Sequence, residues 1–167
     1  MPKLKAARAV GLDDIMSSAF VDDGSLLGPA LKGHLAIQAL LVELIQIRIP
    51  GDSAWELNFP AQTKKAVELG LLPTHLKLGL DSFNRFRNAF AHVFGHQVPV
   101  EDVHALAREL EGYGVDFSDS VGNRPLKDAV SDYSGDLGLL QEVLWCLCFE
   151  VAFALMQAGG RDLFSDG

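Results

Sequence analysis

The stretch FNRFRNAFAH, residues 83–92, sets phenylalanines against two arginines, asparagines and a closing histidine. Count from Asp81 at 0° and advance about 100° per residue. Leu80, Phe83, Phe86, Phe90 and Phe94 then fall within roughly 140–260°, a broad apolar face that must be buried. Asp81, Arg85, Asn88 and His92 fall within about 40° of zero, a polar stripe opposite it. Arg87 lies near 240°, at the edge of the aromatic face. A guanidinium there must snorkel, pair with an acid or reach into an interface. The stretch reads as part of one amphipathic helix over residues 74–94, begun by Pro73 and Thr74 and stopped at Gly95.

Helical signals continue on both sides of it. A short helix is expected over residues 12–20, closed by the turn DDGS. Pro29 suits the first turn of a long helix that is apolar over most of its circumference and stops at Pro50. After Trp55, FPAQTKKAVELGLL reads as a short helix ended by Gly70. VEDVHALARELEGYG is amphipathic, with Val100, Val103, Leu106, Ala107 and Leu110 on one face. Residues 112–135, rich in Gly, Ser and Asp, are either a mobile flap or the carrier of one short helix near residues 126–130. The last helix, residues 137–157, is apolar nearly all round, which places it centrally or in a subunit interface. No pair of alternating β-branched runs is joined by a hairpin turn. The expectation is a single all-α domain over residues 1–167, an antiparallel bundle of five to six helices.

Composition narrows the function classes. A chain of 167 residues can bury a core without staples. Its formal charge of −8 argues against a broad phosphate-binding face and leaves nucleic acid as a substrate touched at one cleft. Cys146 and Cys148, two apart on a helix, point in nearly opposite directions and read as small buried hydrophobes in a reducing compartment. No secretory leader is evident, and VLWCLCFEVAFALM, broken by Glu150, falls short of a membrane span. A cytoplasmic location without membrane contact is expected.

The helix over residues 74–94 holds the chemistry. Histidine exchanges protons near neutral pH, and arginine grips phosphate with a planar, always-charged fork. Such a pair suits RNA cleavage without a metal: the 2′-hydroxyl loses a proton and the leaving oxygen gains one. Asn88, four residues before His92, is placed to fix its ring or bind a base. The plainer reading is a solvated polar face with a histidine at the negative end of the helix dipole. His92 and His96 are four apart, but Gly95 intervenes and no third ligand is evident, so no metal is expected. His34 and Glu43 on the long helix could line a cleft, but nine residues place them on different turns, so one or both are expected at the surface; His75 and His104 are expected at exposed helix positions. Arg124, in the turn GNRP, is within reach of a bound anion if the flap closes.

RNAFAH, preceded by QTKKAVELGLLPTHLKLGLDSFNRF, resembles the HEPN superfamily (higher eukaryotes and prokaryotes nucleotide-binding domains) and, within it, the mannitol-repressor-like branch. The resemblance covers roughly residues 31–98. It implies a dimeric helical bundle in which two motif helices meet to form a composite, metal-independent endoribonuclease site without a cofactor. Arg87 and His92 would be the carried-over pair, with Asn88 the polar residue after the arginine and Arg85 an added substrate-binding group. A homodimer would also explain how Arg87 and His92, about 140° apart on one helix, cooperate. The partners it implies are a second copy, an RNA substrate, and an antitoxin or regulatory protein, as in toxin–antitoxin or related defence systems. The alternative within the same resemblance is a non-catalytic regulator or interaction protein of the mannitol-repressor-like type.

Overall fold

A computed structural model describes residues 11–13, 26–51, 53–91, 98–117 and 119–165. The described chain forms six helices: α1 (Leu27–Arg48), α2 (Phe59–Glu68), α3 (Thr74–Ala91), α4 (Val100–Gly112), α5 (Leu126–Asp132) and α6 (Asp136–Gln157). Two single 3-10 turns, Ala54–Glu56 and Val121–Asn123, interrupt the connections. No strand occurs among the described residues, and the architecture is the expected all-α bundle. Of the helix expected over residues 12–20, only Leu12 and Asp13 are described; both are helical, and Leu12 packs against the core.

The two 22-residue helices α1 and α6 pack against each other at the centre. Both are apolar around nearly their whole circumference, so neither has a face suited to water. By length and composition alone each could cross a membrane, contrary to the reading of the last helix from its sequence. In the bundle, most of each apolar stretch is covered by protein, and Ile37, Leu40, Leu41, Leu44, Ile45, Leu139 and Leu140 are fully buried. Burying each of these side chains contributes about 1.5–3 kcal/mol before the entropy of ordering it is subtracted. Gly33 allows the close approach of the pair. A Cβ there would lie 2.5 Å from Leu144 Cδ2 of α6. Cys146 and Cys148 are both free and buried on α6, with burial raising both thiol pKa values.

The remaining helices wrap this pair. Asn58 caps α2 by accepting from the Ala61 amide at 3.0 Å, with Pro60 in the first turn, where no intrahelical N–H is needed. Gly70, at φ 69°, ends α2, and the Leu71 amide returns to the Ala66 carbonyl at 2.9 Å. That turn reverses the chain into α3, which packs against α1, α2 and α4. The aromatic face of α3 is buried as its spacing predicts: Leu80 and Phe83 completely, Phe86 and Phe90 nearly so. Phe94 lies outside the described residues.

Of the two arrangements open for residues 112–135, the described part has the one with a short helix, α5, preceded by a turn closely attached to α4. Gly122 lies so near α4 that a Cβ would meet Arg108 Cα at 2.4 Å. Its carbonyl accepts from Arg108 Nε at 3.0 Å, and its amide donates to Glu111 Oε1 at 3.1 Å. His104, expected at the surface, is instead buried under this turn, where Nε2 meets the Val121 carbonyl at 3.2 Å. Its backbone position on α4 borders the apolar face, and the turn covers what α4 alone would leave open. His75 is exposed, as expected.

Candidate functional site

Arg87 sits where α3 faces α1. It projects from the last turns of α3 toward α1, where its Nη2 lies 3.1 Å from both ring nitrogens of His34. Nη1 donates to Asn88 Oδ1 at 2.7 Å. Nε is buried and has no hydrogen-bond partner among the described residues. Nor does any carboxylate among them pair with Arg87, whereas Lys64, Lys77, Arg85, Arg124 and Arg161 each have one. Burial alone lowers the Arg87 pKa, although a guanidinium keeps its proton at any ordinary pH. The result is a half-buried, localised positive charge whose observed partners are all neutral.

His34 is 2% exposed and Glu43 is half-buried, so neither takes the surface position expected for one or both of them. The physical reason lies in its helix: at 3.6 residues per turn, His34 shares a face with Ile37, Leu41 and Ile45, all buried. That alignment was the available signal. It is easily missed because α1 is apolar all round and offers no polar face for contrast. The imidazole is 4.3 Å from the Phe59 ring and 6.0 Å from the Phe83 ring, centroid to centroid. Nε2 stands 3.0 Å from Asn84 Oδ1. Since arginine can only donate, the ring nitrogen that receives Arg87 must carry a lone pair. Nε2–H therefore donates to Asn84, which leaves Nδ1 as the nitrogen with a lone pair for Arg87, although Nη2 stands equally close to both. This is a neutral tautomer, and protonating it would turn a second N–H toward the guanidinium. Burial, followed by the Arg87 charge, lowers the His34 pKa to about 4, while the Asn84 hydrogen bond opposes the shift.

The polar stripe of α3 is dispersed among separate partners. Asp81 pairs with Lys77 and accepts from Thr63 Oγ1 of α2 at 3.1 Å. Arg85 turns the other way, donating from Nη2 to Ser82 Oγ at 2.7 Å and to Glu109 Oε1 of α4 at 3.0 Å. Arg85 and Arg87 thus serve opposite sides of α3 and are not brought together. Asn88 is exposed and its side-chain oxygen is taken by Arg87. His92 and His96 lie outside the described residues. Glu43 is half-buried and bound through both oxygens by Arg161, at 2.7 and 2.9 Å. Arg124 pairs with Asp132 on α5. Among the described residues, no group of three or more His, Cys, Asp or Glu side chains is placed to hold a metal ion.

Comparison with known proteins gives no relative to reason from: no family model, curated protein or solved structure matches the chain. The chemistry of the cluster therefore stands on its own geometry. A fixed guanidinium without a bound carboxylate can bind an anion, and its fork fits two oxygens of a phosphate or carboxylate. His34, neutral and buried, can accept a hydrogen bond from Arg87 but is poorly suited to collect a proton at neutral pH.

Proposed function

We propose that this protein binds an RNA phosphodiester at Arg87 and cleaves it as a metal-independent endoribonuclease of the HEPN type. The observation that carries the proposal is the Arg87 guanidinium, held by neutral groups and left without a counter-charge among the described residues. Such a charge costs free energy to bury, and an arriving phosphate recovers part of that cost. In this mechanism Arg87 grips the scissile phosphate and stabilises the charge that grows on it in the transition state. His92 moves the proton between the 2′-hydroxyl and the leaving oxygen. Asn88 orients the pair, its carbonyl already bound to Arg87. Arg85, neutralised by Glu109, is the weakest member of the expected set. Two copies would contribute to one site, since a helix continued through His92 would turn it about 140° away from Arg87. We take its setting to be the cytoplasm, where two free buried thiols stay reduced.

The test is incubation of the purified chain with single-stranded RNA in the presence of a chelator. Cleavage leaving 2′,3′-cyclic phosphate ends, abolished in Arg87→Ala and in His92→Ala, is the expected result. Mixing these two inactive variants should restore part of the activity if the site is shared between copies. Intact RNA with the wild-type chain, together with indifference of cell growth to its expression, would overturn the proposal.

One observation favours the alternative, a non-catalytic interaction protein. Trp145, Phe149, Phe164 and Phe153 form a continuous aromatic series, with centroid separations of 4.2, 5.0 and 4.9 Å, and Phe153 is exposed. Exposed aromatics are characteristic of protein contacts. A regulator would show protein binding that depends on Phe153 and not on Arg87.

A further inference from the structure

Arg87 is oriented from a different helix, by a residue 53 positions away in the chain. A free arginine side chain has several rotors, and a phosphate fork works only when the guanidinium plane is already aimed. A glutamate at position 34 would also aim it, but would neutralise the charge and occupy the fork. A neutral imidazole fixes one Nη2 hydrogen while the net positive charge remains. Asn84 makes this arrangement specific: by accepting from Nε2–H, it keeps the ring neutral and leaves the lone pair on Nδ1, with Nη2 of Arg87 3.1 Å from both nitrogens. Phe59 of α2 and Phe83 of α3 pack near the ring, 4.3 and 6.0 Å away between centroids.

We propose that His34, in the neutral Nε2–H form held by Asn84, is the positioning residue that aims the Arg87 guanidinium at an RNA phosphodiester while adding no counter-charge of its own. The proposal rests on the reading of Arg87 as the phosphate-binding group. It makes a distinct prediction about Asn84. Removing the amide frees the ring, whereas a carboxylate at that position brings a competing anion into the cluster, three residues from Arg87 on the same helix face.

The experiment uses the full chain and a short single-stranded RNA oligonucleotide, read by binding, by cleavage and by the Arg87 Nε–H resonance, assigned from its absence in Arg87→Lys. His34→Leu, of similar volume without an acceptor, is expected to weaken RNA binding by about tenfold or more, as for loss of a hydrogen bond to a charged group. Its Arg87 resonance should broaden or shift in the absence of RNA. His34→Gln, which keeps a side-chain acceptor, should recover most of both. Asn84→Asp should lose more affinity than Asn84→Ala, and this pair carries the test if His34→Leu does not fold. Wild-type binding and an unchanged Arg87 resonance in His34→Leu, with binding lost in Arg87→Lys, overturn this inference alone. So does Asn84→Ala weaker than or equal to Asn84→Asp. Unchanged binding in Arg87→Lys overturns the phosphate reading, and this inference with it.

Discussion

Arg85 and Arg87 stand two residues apart on α3 and show two fates for the same side chain. Arg85 turns to α4, where a carboxylate and a hydroxyl receive it in a largely solvated setting. Arg87 turns to α1, into partial burial, and meets a neutral imidazole and an amide oxygen. The first is an ordinary surface ion pair, whose charges cancel locally. The second meets no carboxylate among the described residues and sits in surroundings that screen it poorly, where any anion that reaches it is bound more strongly than in water. Chain position alone does not separate the two. What separates them is which helix each one faces.

The largest expected difference is in activity. Under the proposed function, Arg87→Ala lowers the rate of RNA cleavage by about 10²–10³-fold, the usual loss when one donor to a transition-state oxyanion is removed. Arg85→Ala changes it by no more than a few-fold, since Glu109 already neutralises that side chain. Single-turnover cleavage assays on both variants measure the contrast, and equal losses would erase the distinction between the two arginines.

The next effect is on stability and depends on pH. In the unfolded chain His34 takes up a proton near pH 6.5; in the fold it does so only at about 4. Between these values the unfolded state binds more protons, so stability is lost as pH falls through that window and is independent of this group above it. The loss is on the order of 3 kcal/mol by pH 4. Carboxylates titrate nearby, so the measurement is urea denaturation of wild type against His34→Gln at pH 7 and pH 4.5. The difference between the two should shift in favour of the variant as pH falls. Arg87→Leu sharpens the comparison, because removing that charge should raise the folded-state pKa of His34 and flatten the slope.

Gly33 supports the same cluster from behind. Gly33→Ala would drive a Cβ into Leu144, whose flexible end must yield, and should destabilise the fold by about 1–3 kcal/mol. Thermal denaturation checks it. Because His34 is the next residue, the displaced helix should also disturb the Arg87 contact, visible as weaker RNA binding than the stability loss alone would produce.

Much of the fold was legible because helical periodicity is a local property. Four phenylalanine and leucine positions on α3, Leu80, Phe83, Phe86 and Phe90, aligned by simple rotation, and Gly70 and Pro50 marked helix ends through the conformations they permit or forbid. The site was legible only in part. Arg87 stood out as a charge at the edge of an apolar face, but three fates were open to it: snorkelling, an acid partner or an interface. The structure supplies a fourth, a neutral histidine from the preceding long helix. No local pattern near residue 87 encodes that contact, which depends on how α1 and α3 pack. His34 itself was hidden because a histidine on an all-apolar helix has no polar face to declare which way it points. The same reasoning applies to His104, covered by a turn whose close approach depends on Gly122.

The smallest expected effect lies with Arg85 and completes the comparison. Its side chain is 64% exposed and that of Glu109 42%, so solvent screens the pair and its two long side chains lose entropy in meeting. Glu109→Gln should therefore cost no more than about 1 kcal/mol, and less in high salt. Ser82 raises that figure slightly, since its hydroxyl donates to the same carboxylate at 2.7 Å and also receives Arg85. A double-mutant cycle on Arg85 and Glu109, run at low and high salt, isolates the pair. A coupling that is small and fades with salt fits a compensated surface charge. A coupling as large as the His34–Arg87 contact, and insensitive to salt, would mean that both sides of α3 hold an arginine in poorly screened surroundings, and the special standing of Arg87 would have to rest on its lack of a carboxylate partner among the described residues alone.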